Sequence, residues 1–294
     1  MDREITYHLC AVDGGGTGCR VLVSDPYGKE IARASGGPAN VATDRETAIR
    51  NLSDAIMSAL GSANLPASRC VAHAGLAGVL DGTDATAVAA RLPFEHCTVS
   101  DDRLTSVSGA LGSRNGALCS VGTGTFVATR RGAAITYYGG WGLRLGDQAS
   151  GAWLGRAALE RALLAHDGLE AQTDLTHAIL AHFGDSPARM VAYGNRAVPG
   201  DFASFAPMVL DAADAGDRSG LTLMRRGADY LDACLTVAGI GADDVVCLTG
   251  GLGTRYAPYL GDAFRDRIRP AEGTALDGAL LLARQTLKQM EALA

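Results

Sequence analysis

Short apolar runs alternate with glycine-rich turns over the first 35 residues. The apolar runs are YHLCAVD (7–13), CRVLVSD (19–25) and IARAS (31–35), and the segments DGGGTG and PYGKE separate them. Runs of this length that contain Val, Leu and Ile and are bounded by Gly and Pro are typical of strands joined by turns. The pattern therefore predicts three antiparallel strands at the start of the chain.

A helical pattern follows this strand region. Ile49, Leu52, Ile56 and Leu60 recur at helical spacing, and Thr43 with Glu46 matches a capping box, which predicts a helix that begins at Thr43. Beyond it we expect buried strands over 70–78 and 96–101 with a helix between them. The segment 103–111 begins another predicted helix.

The pattern of strand, turn and strand then restarts. GALCSVGTGTFVATRRG (116–132) has a Gly/Thr turn between two apolar runs, so that GTGT at 122–125 echoes DGGGTG at 13–18. The echo predicts two similar units, each with a glycine/threonine hairpin tip. Further expected elements are a strand at 133–140, helices over 152–166 and most of 203–239, a strand at 243–251 and a closing helix at 276–290.

The amino-acid composition excludes several functional classes. The chain has 294 residues, 47% of them hydrophobic and 20% charged, with a net charge of −6, which is a globular profile without the basic excess of a nucleic-acid binder. We expect neither a membrane span nor a signal peptide, because no apolar window is long enough to span a bilayer and the start MDREITYHLC is charged. The seven cysteines are scattered without a C-x-x-C pair, so we expect reduced thiols in a cytoplasmic protein and no zinc site.

The first glycine cluster raises the question of which phosphate loop it forms. A Walker loop needs G-x-x-x-x-G-K-[ST], which is absent, and a dinucleotide fingerprint must lead into a helix, whereas these glycines lead into the extended run CRVLVSD. A hairpin tip remains, whose backbone N–H groups approach an anion closely. Because such a tip has no lysine, we expect Asp13 to hold Mg²⁺ through water. A plain glycine hairpin is the alternative, and the second tip counts against it.

Several segments together carry a resemblance. DGGGT, GTGT and TGG resemble the phosphate 1, phosphate 2 and adenosine motifs of the sugar kinase, heat-shock chaperone and actin superfamily. More narrowly, the chain resembles the N-acetylglucosamine and glucosamine kinases of the BadF/BadG/BcrA/BcrD ATPase family, and bacterial glucosamine kinases in particular. The matching segments are GGPAN (36–40), SDD (100–102), GGWGLRLGDQASGAWLG (139–155), PGDFASFAP (199–207), LTGGLG (248–253) and GTALDGALLLA (273–283).

The resemblance implies an α/β fold of two ribonuclease H-like (actin-like ATPase) lobes around a central cleft. We expect residues 1–111 in the first lobe, with the C-terminal helix 278–294 packing back on it, and residues 112–277 in the second. ATP with Mg²⁺ is the implied cofactor. The implied nucleotide- and phosphate-binding residues are Gly14, Gly15, Gly16, Thr17, Gly122, Thr123, Gly124, Gly250 and Gly251.

The resemblance also implies the catalytic group. The family places a catalytic Asp, often as Asn-Asp, at the end of the strand that ends here in Asp101-Asp102, and Asp102 matches that position by its distance from Gly109-Ala110. A carboxylate there accepts the proton of a sugar hydroxyl. The alternative role of this Asp is a helix N-cap, which Asp101 can also provide, so the assignment within the pair stays open.

Sugar recognition is assigned by the same resemblance. Asn40, Gly140, Trp141, Asp147 and Gln148 are the implied substrate-binding residues, although Asn40 after Gly-Gly-Pro also suits a turn and Trp153 nearby suits a core. Many N-acetylglucosamine kinases have Asp-Glu where this chain has Asp-Gln, which favours glucosamine over N-acetylglucosamine.

The function expected from the sequence is therefore ATP-dependent phosphorylation of an amino sugar at its 6-hydroxyl, with no nucleic-acid or membrane partner and with a homodimer left open. Two alternatives keep the fold. One is an ATPase activator of a reductase or dehydratase, which uses an iron–sulfur cluster, and the other is a non-catalytic sugar-sensing protein.

Overall fold

The computed structural model describes residues 6–293, which fold as two units. Of the described residues, unit 1 contains 6–113 together with 271–293, and unit 2 comprises Arg114–Pro270. Among the helices between residues 6 and 293, none combines the length and apolar character that crossing a bilayer requires.

Unit 1 contains a mixed sheet. Its strands are β1 (His8–Gly14), β2 (Cys19–Ser24), β3 (Glu30–Gly36), β4 (Cys70–Leu76) and β5 (His96–Asp101). Their spatial order is β3-β2-β1-β4-β5, with β2 antiparallel to both neighbours and β1, β4 and β5 parallel. This is the ribonuclease H-like order. In the ladder Asp13 pairs with Gly75, and Gly75 pairs with Ser100, so the loops after the parallel strands leave from one sheet edge.

Helices cover both faces of this sheet because β1 is apolar on both. Helices α1 (Arg45–Ala63) and α2 (Gly82–Ala89) share a buried cluster with Cys10 and Val12. On the opposite face, Leu9 and Ala11 pack against the C-terminal helix (Ala275–Leu293).

The C-terminal helix also crosses α3 (Asp102–Leu111) at close range, and glycine makes this approach possible. A Cβ at Gly109 would lie 1.8 Å from the Thr274 carbonyl oxygen, and one at Gly278 would lie 1.9 Å from that of Thr105. The last helix of the chain therefore belongs to the core of unit 1.

Unit 2 repeats the strand order with one strand fewer. Its strands are β6 (Gly116–Val121), β7 (Thr125–Arg131), β8 (Ala134–Gly139) and β9 (Val245–Thr249). They are arranged β8-β7-β6-β9, with β6 and β9 parallel and the other pairs antiparallel. Because Ser120 pairs with Thr249, the loops after β6 and β9 leave the sheet side by side. The predicted internal echo is confirmed at the level of topology.

A helical layer packs on this second sheet around one large apolar core, which includes Leu154, Ile179, Leu223 and Tyr256. Its α-helices are α4 (Gly151–His166), α5 (Asp174–His182), α6 (Pro187–Gly194), α7 (Pro199–Ala203), α8 (Ala206–Asp214), α9 (Arg218–Val237) and α10 (Asp262–Arg265). Short 3-10 helices occur at Gly253–Tyr259 in this unit and at Ala67–Arg69 in unit 1.

The structure confirms the predicted strands and corrects two details of the helices. The cap of α1 is Asp44, whose side chain accepts a hydrogen bond from the Thr47 amide, so the predicted Thr43 cap is wrong. Asp44 has the extended backbone that a capping residue needs, with φ −150°. Helices α5, α6, α7 and α10 were not predicted.

Candidate functional site

The loop after β1 is a tight glycine turn with a free tip. The Gly15 amide donates to the Gly18 carbonyl (2.9 Å), and the carbonyls of Gly14 and Gly15 accept from the amides of Ala77 and Ala39 (2.8 Å each). These bonds fix the base of the loop, while Gly16 and Thr17 are exposed at its tip.

Asp13 lies at the base of this loop. Its carboxylate Oδ2 is 2.6 Å from the Arg20 guanidinium, which faces it across the β1–β2 ladder, and its side chain is 12% exposed. Mg²⁺ in phosphate-transfer sites takes one or two carboxylates and keeps the rest of its shell for water and phosphate oxygens. Asp13 offers one such carboxylate at the base of the loop. Between residues 6 and 293 no cluster of three or more His, Cys, Asp or Glu could hold a metal ion.

The two aspartates after β5 have different surroundings. Asp101 caps α3: its Oδ1 accepts from the Arg103 amide at 2.7 Å, and its Oδ2 pairs with the Arg103 guanidinium at 2.7 Å. Asp102 is the first residue of α3. Burial, together with the negative charges of Asp101 and Asp13, raises the pKa of Asp102 to about 7. This carboxyl is therefore ready to exchange a proton near neutral pH.

A buried histidine on β4 contacts the neighbouring strand β5 near its end. His73 on β4 is 5% exposed and lies 2.8 Å from Thr98 Oγ1 and 3.0 Å from Ser100 Oγ through its two ring nitrogens. The Ser100 hydroxyl in turn donates to the Asp101 carbonyl (2.9 Å). Burial lowers the pKa of His73 to about 4, so the ring is neutral at pH 7. The sequence analysis did not identify this chain of contacts, which only the β4–β5 register brings together.

Asn40 takes up the turn geometry that the sequence allowed as an alternative. Its Oδ1 accepts from the amides of Ala42 (2.9 Å) and Thr43 (3.2 Å). The turn lies against Gly78, where a Cβ would be 2.4 Å from the same oxygen. Within residues 6–293 the Asn40 Nδ2 has no hydrogen-bond partner, so the amide group keeps a donor for a ligand.

The second glycine tip is bound to the start of α4. Gly122 N donates to Gly124 O (2.9 Å) within the tip. The amides of Gly151 and Ala152 donate to the carbonyls of Gly122 (2.8 Å) and Thr123 (3.2 Å). Thr123 and Gly124 are exposed. The carbonyls of the tip are thus bound by N–H groups at the start of α4, while Thr123 and Gly124 face solvent.

Gly250 and Gly251 follow β9, beside the tip after β6. Gly250 has φ +81°, and a Cβ there would lie 2.3 Å from the Val121 carbonyl oxygen. Gly251 has neither restriction, since nothing lies within 4 Å of its Cβ position. The predicted phosphate 2 and adenosine motifs are therefore neighbours on one sheet edge of unit 2.

Asp147 joins this edge to the preceding loop. It is 7% exposed, and its Oδ1 accepts from the Gly142 amide at 3.1 Å. Burial raises the pKa of Asp147, and the amides of Gly142 and Thr125 oppose that rise. A Cβ at Gly124 would be 3.0 Å from Asp147 Oδ2, which places this carboxylate directly behind the second tip.

The remaining residues of the predicted sugar motif differ in exposure. Trp141 is 73% exposed and follows Gly140, which has φ +74°, while Gln148 is partly exposed. Trp153 is 7% exposed in the core of unit 2, with the Arg226 guanidinium 5.4 Å from its ring centroid. Trp153 has the core position that the sequence offered as its alternative.

Three of the motif glycines are not required by the fold. At Gly16, Gly122 and Gly251 no atom lies within 4 Å of a Cβ, and none of them has a positive φ. An L-residue would fit there in the protein as described. Glycine in such places leaves room for a ligand to approach the backbone. All three belong to predicted phosphate or adenosine motifs.

The seven cysteines are free thiols. Cys10, Cys19, Cys70, Cys119 and Cys247 are buried, and Cys97 and Cys234 are partly buried. Burial raises the pKa of the Cys70 thiol to about 11 and that of the Cys97 thiol to about 12, so these groups are neutral thiols at pH 7.

Comparison with known proteins gives one family match that spans both units. The model of the BadF/BadG/BcrA/BcrD ATPase family matches residues 11–276. The glucosamine kinase GspK of Vibrio cholerae is 29% identical over 282 residues, which are 94% of this chain and 95% of that protein. The N-acetylmuramic acid/N-acetylglucosamine kinase of Clostridium acetobutylicum is 26% identical over 272 residues, with 88% and 89% of the two chains covered.

A solved structure extends the likeness to three dimensions. The crystal structure of a proposed N-acetylglucosamine kinase from Chromobacterium violaceum is similar with a TM-score of 0.86 at 32% identity, and the match covers 95% of this chain and 100% of that chain.

Proposed function

Because the chain belongs to the BadF/BadG/BcrA/BcrD ATPase family, we propose that it is a kinase that transfers the γ-phosphoryl group of ATP to an amino sugar. The substrate class is supported by whole-length relatives that are named glucosamine kinase and N-acetylmuramic acid/N-acetylglucosamine kinase. The acceptor is the 6-hydroxyl, and glucosamine is preferred to N-acetylglucosamine. That preference is supported by Gln148, which replaces the Glu of many N-acetylglucosamine kinases.

The observation that carries the proposal is the contrast between Asp101 and Asp102. Asp101 is occupied by the cap of α3 and by Arg103, whereas the Asp102 pKa near 7 suits a group that takes a proton and returns it to water. In the proposed step, the sugar 6-hydroxyl oxygen bonds to the γ-phosphorus as the bond to the β–γ bridging oxygen breaks. The hydroxyl proton goes to the Asp102 carboxylate, and ADP leaves.

The glycine tips bind the nucleotide in this proposal. The exposed backbone of Gly16 and Thr17 in unit 1, and of Thr123 and Gly124 in unit 2, offers N–H groups to phosphate oxygens. Gly251 admits the adenosine next to the backbone, since its Cβ position is open. Asp13 holds Mg²⁺ through water. The metal, when bound, neutralises phosphate charge that no P-loop lysine neutralises here.

The sugar is bound by Asn40 through its Nδ2, by Trp141, and by Asp147 and Gln148 with the backbone at Gly140. Asn40 and Asp147 are already oriented, because each has a carbonyl or carboxylate oxygen that accepts from a backbone amide. Fixed polar groups of this kind recognise hydroxyls without the entropy cost of ordering a free side chain.

The test is a coupled ADP-release assay with glucosamine, N-acetylglucosamine, N-acetylmannosamine and glucose, each with and without Mg²⁺. We expect sugar-dependent and Mg²⁺-dependent ADP release, fastest with glucosamine. 6-Deoxyglucosamine should compete for binding but release no ADP, which tests the acceptor position. If no sugar stimulates ADP release, the kinase proposal is wrong, and a partner-dependent ATPase becomes the better hypothesis.

A further inference from the structure

The segment that contains Asp147 and Gln148 has an uncommon backbone. Asp147 has φ +59° and Ala149 has φ +72°. Residues other than glycine rarely adopt this left-handed conformation, and alanine has no polar side chain that could offset the strain by a local hydrogen bond. Such a conformation persists only where the surrounding structure holds it.

A buried hydroxyl donates a hydrogen bond to the strained alanine. Tyr256 is 0% exposed, and its OH donates to the Ala149 carbonyl oxygen at 2.7 Å. Burial raises the pKa of Tyr256, so the hydroxyl remains protonated and acts as a donor. The hydroxyl lies close against the backbone of Gly227, where a Cβ would be 2.4 Å from the hydroxyl oxygen.

The other hydrogen bonds of the segment close the turn that contains Ala149, but within residues 6–293 none of them reaches the Ala149 carbonyl. Gly142 N donates to the Asp147 carboxylate (3.1 Å), and Ser150 N donates to the Asp147 carbonyl (3.0 Å). Ala149 is itself 0% exposed, so water cannot replace the Tyr256 hydroxyl at its carbonyl. Loss of that hydroxyl would leave a buried acceptor unpaired in a strained turn.

We propose that Tyr256 is a positioning residue for the sugar: its hydroxyl holds Ala149 in the left-handed conformation, and so sets the direction in which Asp147 and Gln148 face the substrate. This inference rests on the proposed function of those two residues. Tyr256 does not touch substrate. It lies in the 3-10 helix Gly253–Tyr259, 107 residues from its partner in the sequence.

The test compares Tyr256→Phe with Tyr259→Phe. Tyr259 is in the same 3-10 helix, and no hydrogen bond from its hydroxyl occurs within residues 6–293, so it is the matched control. We expect Tyr256→Phe to raise the KM for the sugar about tenfold while the KM for ATP changes less than twofold. Tyr259→Phe should change neither constant.

Rescue by Ala149→Gly separates positioning from general loosening. Glycine adopts φ +72° without steric cost, so Tyr256→Phe/Ala149→Gly should recover most of the sugar KM, and should fold even if the single variant does not. Equal rises in both KM values, or a sugar KM that Ala149→Gly does not restore, would overturn the proposal. Sugar binding by calorimetry gives the same comparison without turnover. If the wild-type protein neither binds nor phosphorylates any sugar, the proposed function itself has failed.

Discussion

Asp101 and Asp102 are adjacent, yet their carboxyls are held differently: that of Asp101 accepts from the Arg103 amide and guanidinium at 2.7 Å each, whereas that of Asp102 hydrogen-bonds to Asp101. This difference resolves structurally which aspartate caps α3, a point that the sequence left open. Burial, and after it the neighbouring charge of Asp101, raises the pKa of Asp102 to about 7. The two residues should therefore respond differently to the same conservative substitution.

Asp102→Asn should reduce kcat by about two orders of magnitude or more, because the amide cannot accept the hydroxyl proton. Binding of ATP and sugar should change little, since the side chain keeps its shape. Asp101→Asn is the matched control: asparagine is an equally good N-cap, so kcat measured at pH 8, where Asp102 is ionised in both proteins, should stay within about threefold of wild type. Steady-state kinetics on both variants measure this. Near-normal turnover of Asp102→Asn would remove Asp102 from the catalytic role.

The pH dependence of kcat/KM should follow the same carboxyl. With its pKa at about 7, Asp102 is protonated and inactive as a base below neutrality, so kcat/KM should rise with pH and level off above pH 7. Asp101→Asn removes a neighbouring negative charge and should move this rise to lower pH. N-acetylglucosamine is a suitable substrate for the profile, because it has no titrating amine. An identical midpoint in wild type and Asp101→Asn would contradict the assignment of the rise to Asp102.

Asp102 should also cost stability above neutral pH. Its pKa is raised from 3.8 to about 7 on folding, so the native state holds the proton more tightly than the unfolded state, and stability falls as pH rises through that window. Asp102→Asn should therefore be more stable than wild type at pH 8 by about 2 kcal/mol. This is roughly half of the free energy that corresponds to the full pKa shift, because the side chain keeps partial contact with water.

Denaturant unfolding in EDTA, without nucleotide, measures this difference. The gain should disappear at pH 3, where Asp102 is protonated in both states. A gain that is the same at pH 3 and pH 8 would show that ionisation of Asp102 is not its cause.

Local signals account for what the sequence predicted well. The Gly/Thr tips follow directly from glycine between short apolar runs, and the structure has strands on both sides of each tip. The sequence could not distinguish Thr43 from Asp44 as the cap of α1, because both residue types can cap a helix. The extended backbone at Asp44 makes that residue the cap. The contacts of His73 and of Tyr256 join residues 25 and 107 positions apart, so they depend on strand register and helix packing that no local pattern encodes.

His73 should make the protein sensitive to acid. Burial lowers its pKa from 6.5 to about 4, so the native state binds this proton less well than the unfolded chain. Stability should therefore decline as pH falls from about 6.5 to about 4, by up to about 3 kcal/mol. His73→Gln keeps a donor and an acceptor but has no such titration. As pH falls over this range, the unfolding free energy of wild type should therefore decrease more than that of His73→Gln. Parallel pH dependences of the two proteins would contradict the prediction.

Gly250 and Gly251 are neighbours with different reasons to be glycine, and alanine should separate them. Gly250→Ala places a Cβ 2.3 Å from the Val121 carbonyl oxygen at φ +81°, so it should destabilise the protein by about 2 kcal/mol or more. Gly251→Ala meets no protein atom within 4 Å, so its unfolding free energy should stay within about 0.5 kcal/mol of wild type.

If the adenosine lies against this backbone, the added methyl of Gly251→Ala should raise the KM for ATP by at least about fivefold and leave the KM for the sugar unchanged. Thermal unfolding with and without ATP, together with the two KM values, measures both effects. A Gly251→Ala protein with an unchanged KM for ATP would contradict adenosine binding against the Gly251 backbone.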